Sequence, residues 1–224
     1  HAVASAINIS TQPASQQRTV GQSVTFTITA SATDQGTLSY VWKKGATTVG
    51  TNSSSYTFTT TSTADAGNFT VTVTNTLNGS TATTLTSSTA TLTMSSALTF
   101  NSRSNVTITA GTALSGSSLI SVTATGGREN RSYGVTAGAL PAGLSLDSAT
   151  GVIGGTATVA GSFSGIKITV TDANNATLEM ASPFTITVNS GTQLDLSILT
   201  RFGTGGSPLT LISSGGSGGG PISY

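Results

Sequence analysis

Along most of the chain, single apolar residues alternate with threonine or serine. Ser23-Val24-Thr25-Phe26-Thr27-Ile28, Asn68-Phe69-Thr70-Val71-Thr72-Val73 and Phe184-Thr185-Ile186-Thr187-Val188 all repeat with period two. That period places one face of an extended strand inward and the other in water. Runs of this kind predict strands at Ile7–Thr11, Gln22–Ala30, Thr37–Lys44, Ser55–Thr60, Asn68–Asn75 and Thr81–Met94. A second series is predicted at Leu98–Asn101, Val106–Ala110, Leu119–Thr125, Ser132–Thr136, Gly161–Asp172 and Pro183–Val188. Turn residues punctuate the runs: Asp34-Gln35-Gly36, Lys44-Gly45, Gly50-Thr51-Asn52, Asp65-Ala66-Gly67 and Asn78-Gly79. Asn-Gly between alternating runs is a strong hairpin signal. No stretch has a helical period, so the expected class is all-β.

The spacing divides the 224 residues into two sandwich-sized units and a tail: 1–95, 96–189 and 190–224. Each of the first two has the length of one antiparallel sandwich. Beyond Arg201 the tail is dominated by Gly, Ser and Pro, the composition of a flexible coil. Before that point Leu194, Leu196, Ile198 and Leu199 offer one more strand. The expectation is that the tail docks on a partner subunit or a neighbouring copy through Phe202, Leu209, Leu211, Ile212, Ile222 and Tyr224.

In the first unit, Gly21-Gln22-Ser23-Val24-Thr25-Phe26-Thr27-Ile28 resembles strand B of an immunoglobulin domain. Trp42, within Tyr40-Val41-Trp42-Lys43-Lys44-Gly45, resembles the core tryptophan of strand C. Asp65-Ala66-Gly67-Asn68-Phe69-Thr70-Val71 resembles the Asp-x-Gly-x-Tyr-x-Cys signature that leads into strand F. The resemblance implies a core built on Trp42, Ile28, Val71 and Phe69. Ile28 and Val71 stand where the family has its two cysteines, and Phe69 replaces the tyrosine of the corner.

In the second unit, Leu140-Pro141-Ala142-Gly143-Leu144 is followed by Thr150-Gly151-Val152-Ile153-Gly154-Gly155-Thr156, then by Gly161-Ser162-Phe163 and a run ending at Asp172. This is similar to the putative-Ig repeat of bacterial and phage surface proteins, related in fold to cadherin-like domains. Ala157 stands where that family often has proline. The fold implied for the whole chain is two tandem immunoglobulin-like β-sandwiches with a Gly-rich C-terminal tail.

Composition narrows the chemistry. Charged residues make up 7% of the chain, against about 25% in ordinary domains; threonine hydroxyls take over the solvation of the outer faces. The net charge of +1 gives no basic footprint for nucleic acid. No apolar run approaches the about 18 residues that a membrane-spanning helix requires. Without cysteine there is no disulfide, thiolate metal site or cysteine nucleophile. The single histidine is His1, so a Ser-His-Asp arrangement is not expected. The seven carboxylates fall mostly in turns. Ala4-Ser5-Ala6 has signal-peptidase spacing but lacks the charged and apolar segment that would precede it, and it is read as a flexible terminus.

Asp172-Ala173-Asn174-Asn175 is a weak calcium candidate: Asp172, Asn174 and Asn175 offer one carboxylate and two amides, where a hard cation takes six or more oxygens. No metal and no cofactor is expected. Gly126-Gly127-Arg128-Glu129-Asn130-Arg131 is the densest charge cluster, a solvated loop or a recognition loop. Lys167 lies mid-strand, where an isopeptide bond to asparagine needs an acidic partner; none is identifiable, and an exposed lysine is expected. Tyr40, Tyr56 and Tyr133 are the aromatics left for a glycan platform.

The function expected is therefore non-enzymatic, structural and interactive: a phage virion surface component (head decoration, fibre or tail protein), or a bacterial cell-surface adhesin or filament subunit, or a carbohydrate-binding module. Its partners would be other virion or surface-assembly subunits in an oligomer, with a host-surface glycan as a further candidate, and with neither nucleic acid nor a membrane span. The expected location is the virion or the cell surface.

Overall fold

The computed structural model describes residues 4–101 and 103–191, and the side chains of all of these except 80–82. The described residues are all-β apart from two single 3-10 turns, at Thr63–Asp65 and Gly116–Ser118. The backbone divides into two compact units. One holds the residues up to Thr99 together with 124–131 and 171–178. The other holds 100–123, 132–170 and 179–191.

The first unit contains strands β1 (Ile7–Thr11), β2 (Gln16–Thr19), β3 (Ser23–Thr27), β4 (Thr29–Ala32), β5 (Thr37–Lys44), β6 (Thr47–Val49), β7 (Ser55–Thr59), β8 (Gly67–Leu77), β9 (Ser80–Thr86) and β10 (Ala90–Ser95). One layer pairs β1 with β4 and β3 with β7; the other runs β2-β10-β8-β5-β6, with β9 also on β8. The run expected at Gln22–Ala30 is broken into β3 and β4 at Ile28, and that expected at Thr81–Met94 into β9 and β10 at Ser87–Thr89. Ser87 carries the ladder across the second break: its N–H donates to the Val71 carbonyl at 2.9 Å and its hydroxyl accepts from the Val71 N–H at 3.1 Å.

The chain changes layers between β1 and β2 at buried Pro13, which has no N–H to give a ladder. β2 then pairs in parallel with β10, Gln16 to Leu92 through Thr19 to Ser95. The Asn78-Gly79 hairpin joins β8 to β9, both residues with positive φ, 49° and 78°.

Between the layers lies one apolar cluster containing Val24, Phe26, Ile28, Trp42, Phe69, Val71, Val73 and Leu92. Trp42, Ile28, Val71 and Phe69 all sit in it. Phe69 stacks on Phe26 with ring centroids 4.7 Å apart and packs on Phe58 at 5.9 Å. Ring packing thus fills the position where the family's tyrosine has a hydroxyl. Ala4 is buried, and Ser5 bonds to Asp34 and Thr33; this corrects the reading of 4–6 as a free terminus.

The later strands are β11 (Thr99–Phe100), β12 (Val106–Thr109), β13 (Ala113–Leu114), β14 (Ile120–Ser121), β15 (Ala124–Thr125), β16 (Ser132–Ala137), β17 (Leu144–Leu146), β18 (Val152–Thr156), β19 (Gly161–Thr171), β20 (Thr177–Glu179) and β21 (Phe184–Asn189). In the second unit one layer runs β12-β21-β19-β16 and the other β13-β18-β14, with β17 on β18. Ile120, Ile153, Ile166, Ile168, Phe184 and Ile186 fill its core.

The Pro141–Gly155 motif is a backbone crossing. Gly143 has φ +87°, and a Cβ there would lie 2.0 Å from the Thr156 carbonyl oxygen; a Cβ on Gly155 would lie 2.3 Å from the Gly143 oxygen. Each glycine lets the other's chain approach, so Thr156 N–H reaches Gly143 O at 3.0 Å and the β17–β18 hairpin forms. Asp147 closes that hairpin, its carboxylate accepting from the N–H groups of Ala149 and Thr150.

Candidate functional site

Three polar clusters and one strand margin contain the residues that could carry function. Within the first unit, Asp172 is the most buried carboxylate, 3% exposed. It accepts the Thr19 hydroxyl, the Arg128 N–H at 2.8 Å, and the N–H groups of Asn174 and Ala176, both at 2.9 Å. Burial pushes its carboxyl up, but these donors outweigh burial and hold it below its usual range.

Asn174 turns its amide N–H toward Thr19 Oγ1 at 3.1 Å, and Gln22 donates to the Asn174 carbonyl at 2.8 Å. Asn175 occupies the left-handed region, φ 59°, and its N–H closes the turn on the Asp172 carbonyl. The structure therefore brings Asp172 and Asn174 together, but around donors. A cation needs free oxygens converging on it, and here N–H and O–H groups face the carboxylate. Among the described residues no group of three or more His, Cys, Asp and Glu side chains is placed to hold a metal ion.

The charge cluster at 126–131 folds back on itself. Arg131 donates through Nε and Nη2 to the Gly126 carbonyl, and Gly127 N–H bonds to the Ser96 carbonyl at 2.8 Å. Arg128 and Glu129 stay exposed.

The second cluster is Asp34 with Asn75 and Ser5. Asn75 is fully buried; its Nδ2 donates to the Ser5 carbonyl at 3.1 Å and to both Asp34 oxygens, while its Oδ1 has no hydrogen-bond partner among the described residues. The N–H groups of Ser5 and Gly36, then the Asn75 amide, lower Asp34 to about 2.

The third is Lys167, whose Nζ lies 2.7 Å from Glu179 Oε1. Thr136 also donates to Glu179. The acidic partner missing from the sequence reading is thus Glu179, brought alongside by the β19–β20 hairpin, and both side chains are partly exposed.

Tyr40, Tyr56 and Tyr133 form no platform. Tyr133 is buried, and Tyr40 and Tyr56 pack as half-buried members of the first unit's core. The docking residues Phe202, Leu209, Leu211, Ile212, Ile222 and Tyr224, and the strand read at Leu194–Leu199, lie outside the described residues.

The strand margin is β7, which sequence reasoning did not single out. It pairs with β3 on one side, in register Val24↔Phe58 and Phe26↔Tyr56. The ladder is extended by Ile28 N–H to Ser54 O and Thr60 N–H to Gln22 O, both 3.0 Å. In an antiparallel pair these double bonds recur at every second residue. The main-chain groups of Tyr56 and Phe58 therefore point at β3. Those of Ser55, Thr57 and Thr59 point away from it, and among the described residues no strand pairs on that side. The inner-face rings of Tyr56 and Phe58 stack at 5.1 Å and stay half-buried at this margin.

Comparison with known proteins agrees with the architecture. Residues 86–189 match the model of the family described as "Putative Ig domain". No curated protein matches the chain in sequence. Among solved structures, the I-band fragment I67-I69 of titin matches with TM-score 0.51 at 13% identity, over 82% of this chain and 66% of the fragment. An E-to-A variant of that three-Ig structure matches equally, with TM-score 0.51, 13% identity, 84% of this chain and 67% of that one. Sidekick-1 immunoglobulin domains 1-4 match at TM-score 0.48 and 16% identity, over 84% of this chain and half of theirs. The chain thus spans about half to two thirds of the structures that it resembles. At such identities the likeness concerns the fold: this is a protein of immunoglobulin-like β-sandwiches in tandem. No helix among the described residues is long and apolar enough to cross a membrane.

Proposed function

We propose that this chain is a non-enzymatic building block of an extracellular assembly, and that the assembly is a phage virion surface, with the sandwiches projecting outward as a head decoration, fibre or tail component. The observation that carries the non-enzymatic reading is the fate of the carboxylates. Asp34, Asp65, Asp147 and Asp172 each accept backbone N–H groups that close turns, and Glu179 pairs with Lys167. Acid–base chemistry needs a carboxylate facing a substrate; these face their own loops. What remains is surface, and function on a sandwich resides in its loops and edges. The match of residues 86–189 supports an Ig-like domain; the phage setting rests on the resemblance of the Pro141–Gly155 motif to repeats of bacterial and phage surface proteins. The partners are other subunits of the same assembly.

A bacterial adhesin or filament subunit is the second reading, favoured by the margin of β7, on which no strand pairs among the described residues and which suits subunits joined in a row. Immunogold labelling and mass spectrometry of purified particles separate the two. Regularly spaced labels on heads or tails support the virion setting. Labels confined to cells overturn it and leave the adhesin or filament.

A further inference from the structure

The margins of the first unit are not alike. A strand margin is a template for another strand unless charge, a bulge, proline or shortness blunts it. β1 slips register between Ile9 and Thr11, β2 carries Arg18, β6 has three residues, and the β8–β9 ladder slips between Asn75 and Thr76. Ser55-Tyr56-Thr57-Phe58-Thr59 carries no charge and no proline, and its pairing with β3 runs without a bulge. The main-chain groups of Thr57 and Thr59 face away from β3, and among the described residues no strand pairs with them.

The strand is also its own complement. Laid antiparallel to itself about Thr57, it sets Thr57 opposite Thr57, Tyr56 opposite Phe58 and Phe58 opposite Tyr56. Directly opposed residues share a face of the sheet. The rings, half-buried and stacked at 5.1 Å within one copy, therefore meet rings on the inner face, and threonine meets threonine on the outer one. Because the Thr57 groups point outward, the central pair is of the kind that exchanges both N–H···O bonds. Each Thr59 N–H then meets the Ser55 carbonyl of the other copy. The Ser55 N–H keeps Ser53 Oγ, its acceptor at 3.2 Å. The opposed rings occupy the closer, non-hydrogen-bonded positions, where aromatic pairs are stabilising. No like charges are brought together.

We propose that β7 is a self-pairing edge, through which two copies of this chain join antiparallel about a two-fold axis at Thr57. A second copy is the occupant because one register serves both partners at once, outward main-chain groups on outward groups and open rings on open rings. The contact is isologous and closes at two copies. This deepens the reading of the chain as an assembly subunit and rests on it.

The test is sedimentation of the whole chain over a concentration series, with three variants. The chain has no cysteine, so Thr57→Cys carries a single thiol. In the pair the two Cα atoms at this position lie about 5.5 Å apart, within the about 4.4–6.8 Å that a disulfide spans. Thr25→Cys is the control, on the same outer face one strand further from the margin. Thr57→Lys sets two like charges opposite each other at the axis. The expected result is a monomer–dimer equilibrium in the wild type and its loss in Thr57→Lys. Mild oxidation should link Thr57→Cys into a covalent dimer and leave Thr25→Cys unlinked. The Thr57 and Thr59 amides should be protected from exchange only in the dimer.

A wild type that stays monomeric overturns the proposal, as does a dimer that persists in folded Thr57→Lys. If that variant fails to fold, cross-linking decides, and equal yields from the two cysteine variants overturn it. Thr57 and Thr59 amides already protected in the monomer overturn it as well, since the chain's own residues then cover the margin. Particle labelling is independent. Labelled virions with a monomeric chain reject the pairing alone, and a dimer whose labels are confined to cells rejects the phage setting alone.

Discussion

The Trp42 indole N–H donates to the Ser53 carbonyl at 2.9 Å while its ring is wholly buried. The residue thus fills the centre of the first core and also pins the loop that leads into β7. Trp42→Ala removes both and is expected to cost about 3–5 kcal/mol. Trp42→Phe keeps most of the apolar contact and loses the loop bond, a smaller loss of about 1–2 kcal/mol. Urea unfolding of the two variants checks the order.

Asp34 makes the first unit acid-sensitive. Its pKa falls from 3.8 to about 2 on folding. A depressed carboxylate contributes stability that is complete above its unfolded pKa and is lost as pH falls through the folded value. Thermal midpoints of the wild type are expected to drop between pH 4 and pH 2, the window those two values set. Asp34→Asn should be less stable at neutral pH, with a shallower drop over the same window.

Asp172→Ala leaves the N–H groups of Arg128, Asn174 and Ala176 without their acceptor. Leaving buried donors unsatisfied costs about 1–3 kcal/mol, to be read by differential scanning calorimetry. Because those donors occupy the carboxylate, millimolar calcium and EDTA should give the wild type the same melting temperature. A calcium-dependent rise would restore the cation reading of Asp172, Asn174 and Asn175.

Gly126 combines a positive φ, +72°, with the main chain close by: a Cβ there would sit 1.9 Å from the Ala97 carbonyl oxygen. Gly126→Ala should destabilise strongly, whereas Gly45→Ala, with a positive φ but open space around it, should show only the conformational cost, about 1 kcal/mol. Comparing the two by chemical denaturation separates strain from collision.

The fold was readable wherever the two faces of a strand differ in polarity. β3, β8 and β21 announce themselves because, Asn75 apart, their buried residues are Val, Phe and Ile and the residues between them Ser, Thr or Asn. β2 did not: Gln16-Gln17-Arg18-Thr19 buries only its last residue and is held by main-chain pairing to β10. The breaks at Ile28 and Ser87 were hidden for a similar reason, since their bonds are made by backbone or hydroxyl groups and leave the alternation intact.

Of the candidate residues, the core set was legible from its motif. The partners of Asp172 were not, because Thr19 lies 153 positions away and no local spacing links the two. The β7 margin was invisible for another reason. Being at the edge of a sheet is a property of the strand order, and the sequence of Ser55–Thr59 looks like that of any paired strand.

In both units an early strand runs parallel to a late one: β2 with β10 and β12 with β21, four residue pairs each. A pull applied to the two ends of a unit would slide these strands past one another. The ladder bonds would then be loaded together in shear, rather than opened one at a time like a zip. Fixed between two anchors, each unit would hold its length under tension until the whole set of bonds gave way at once.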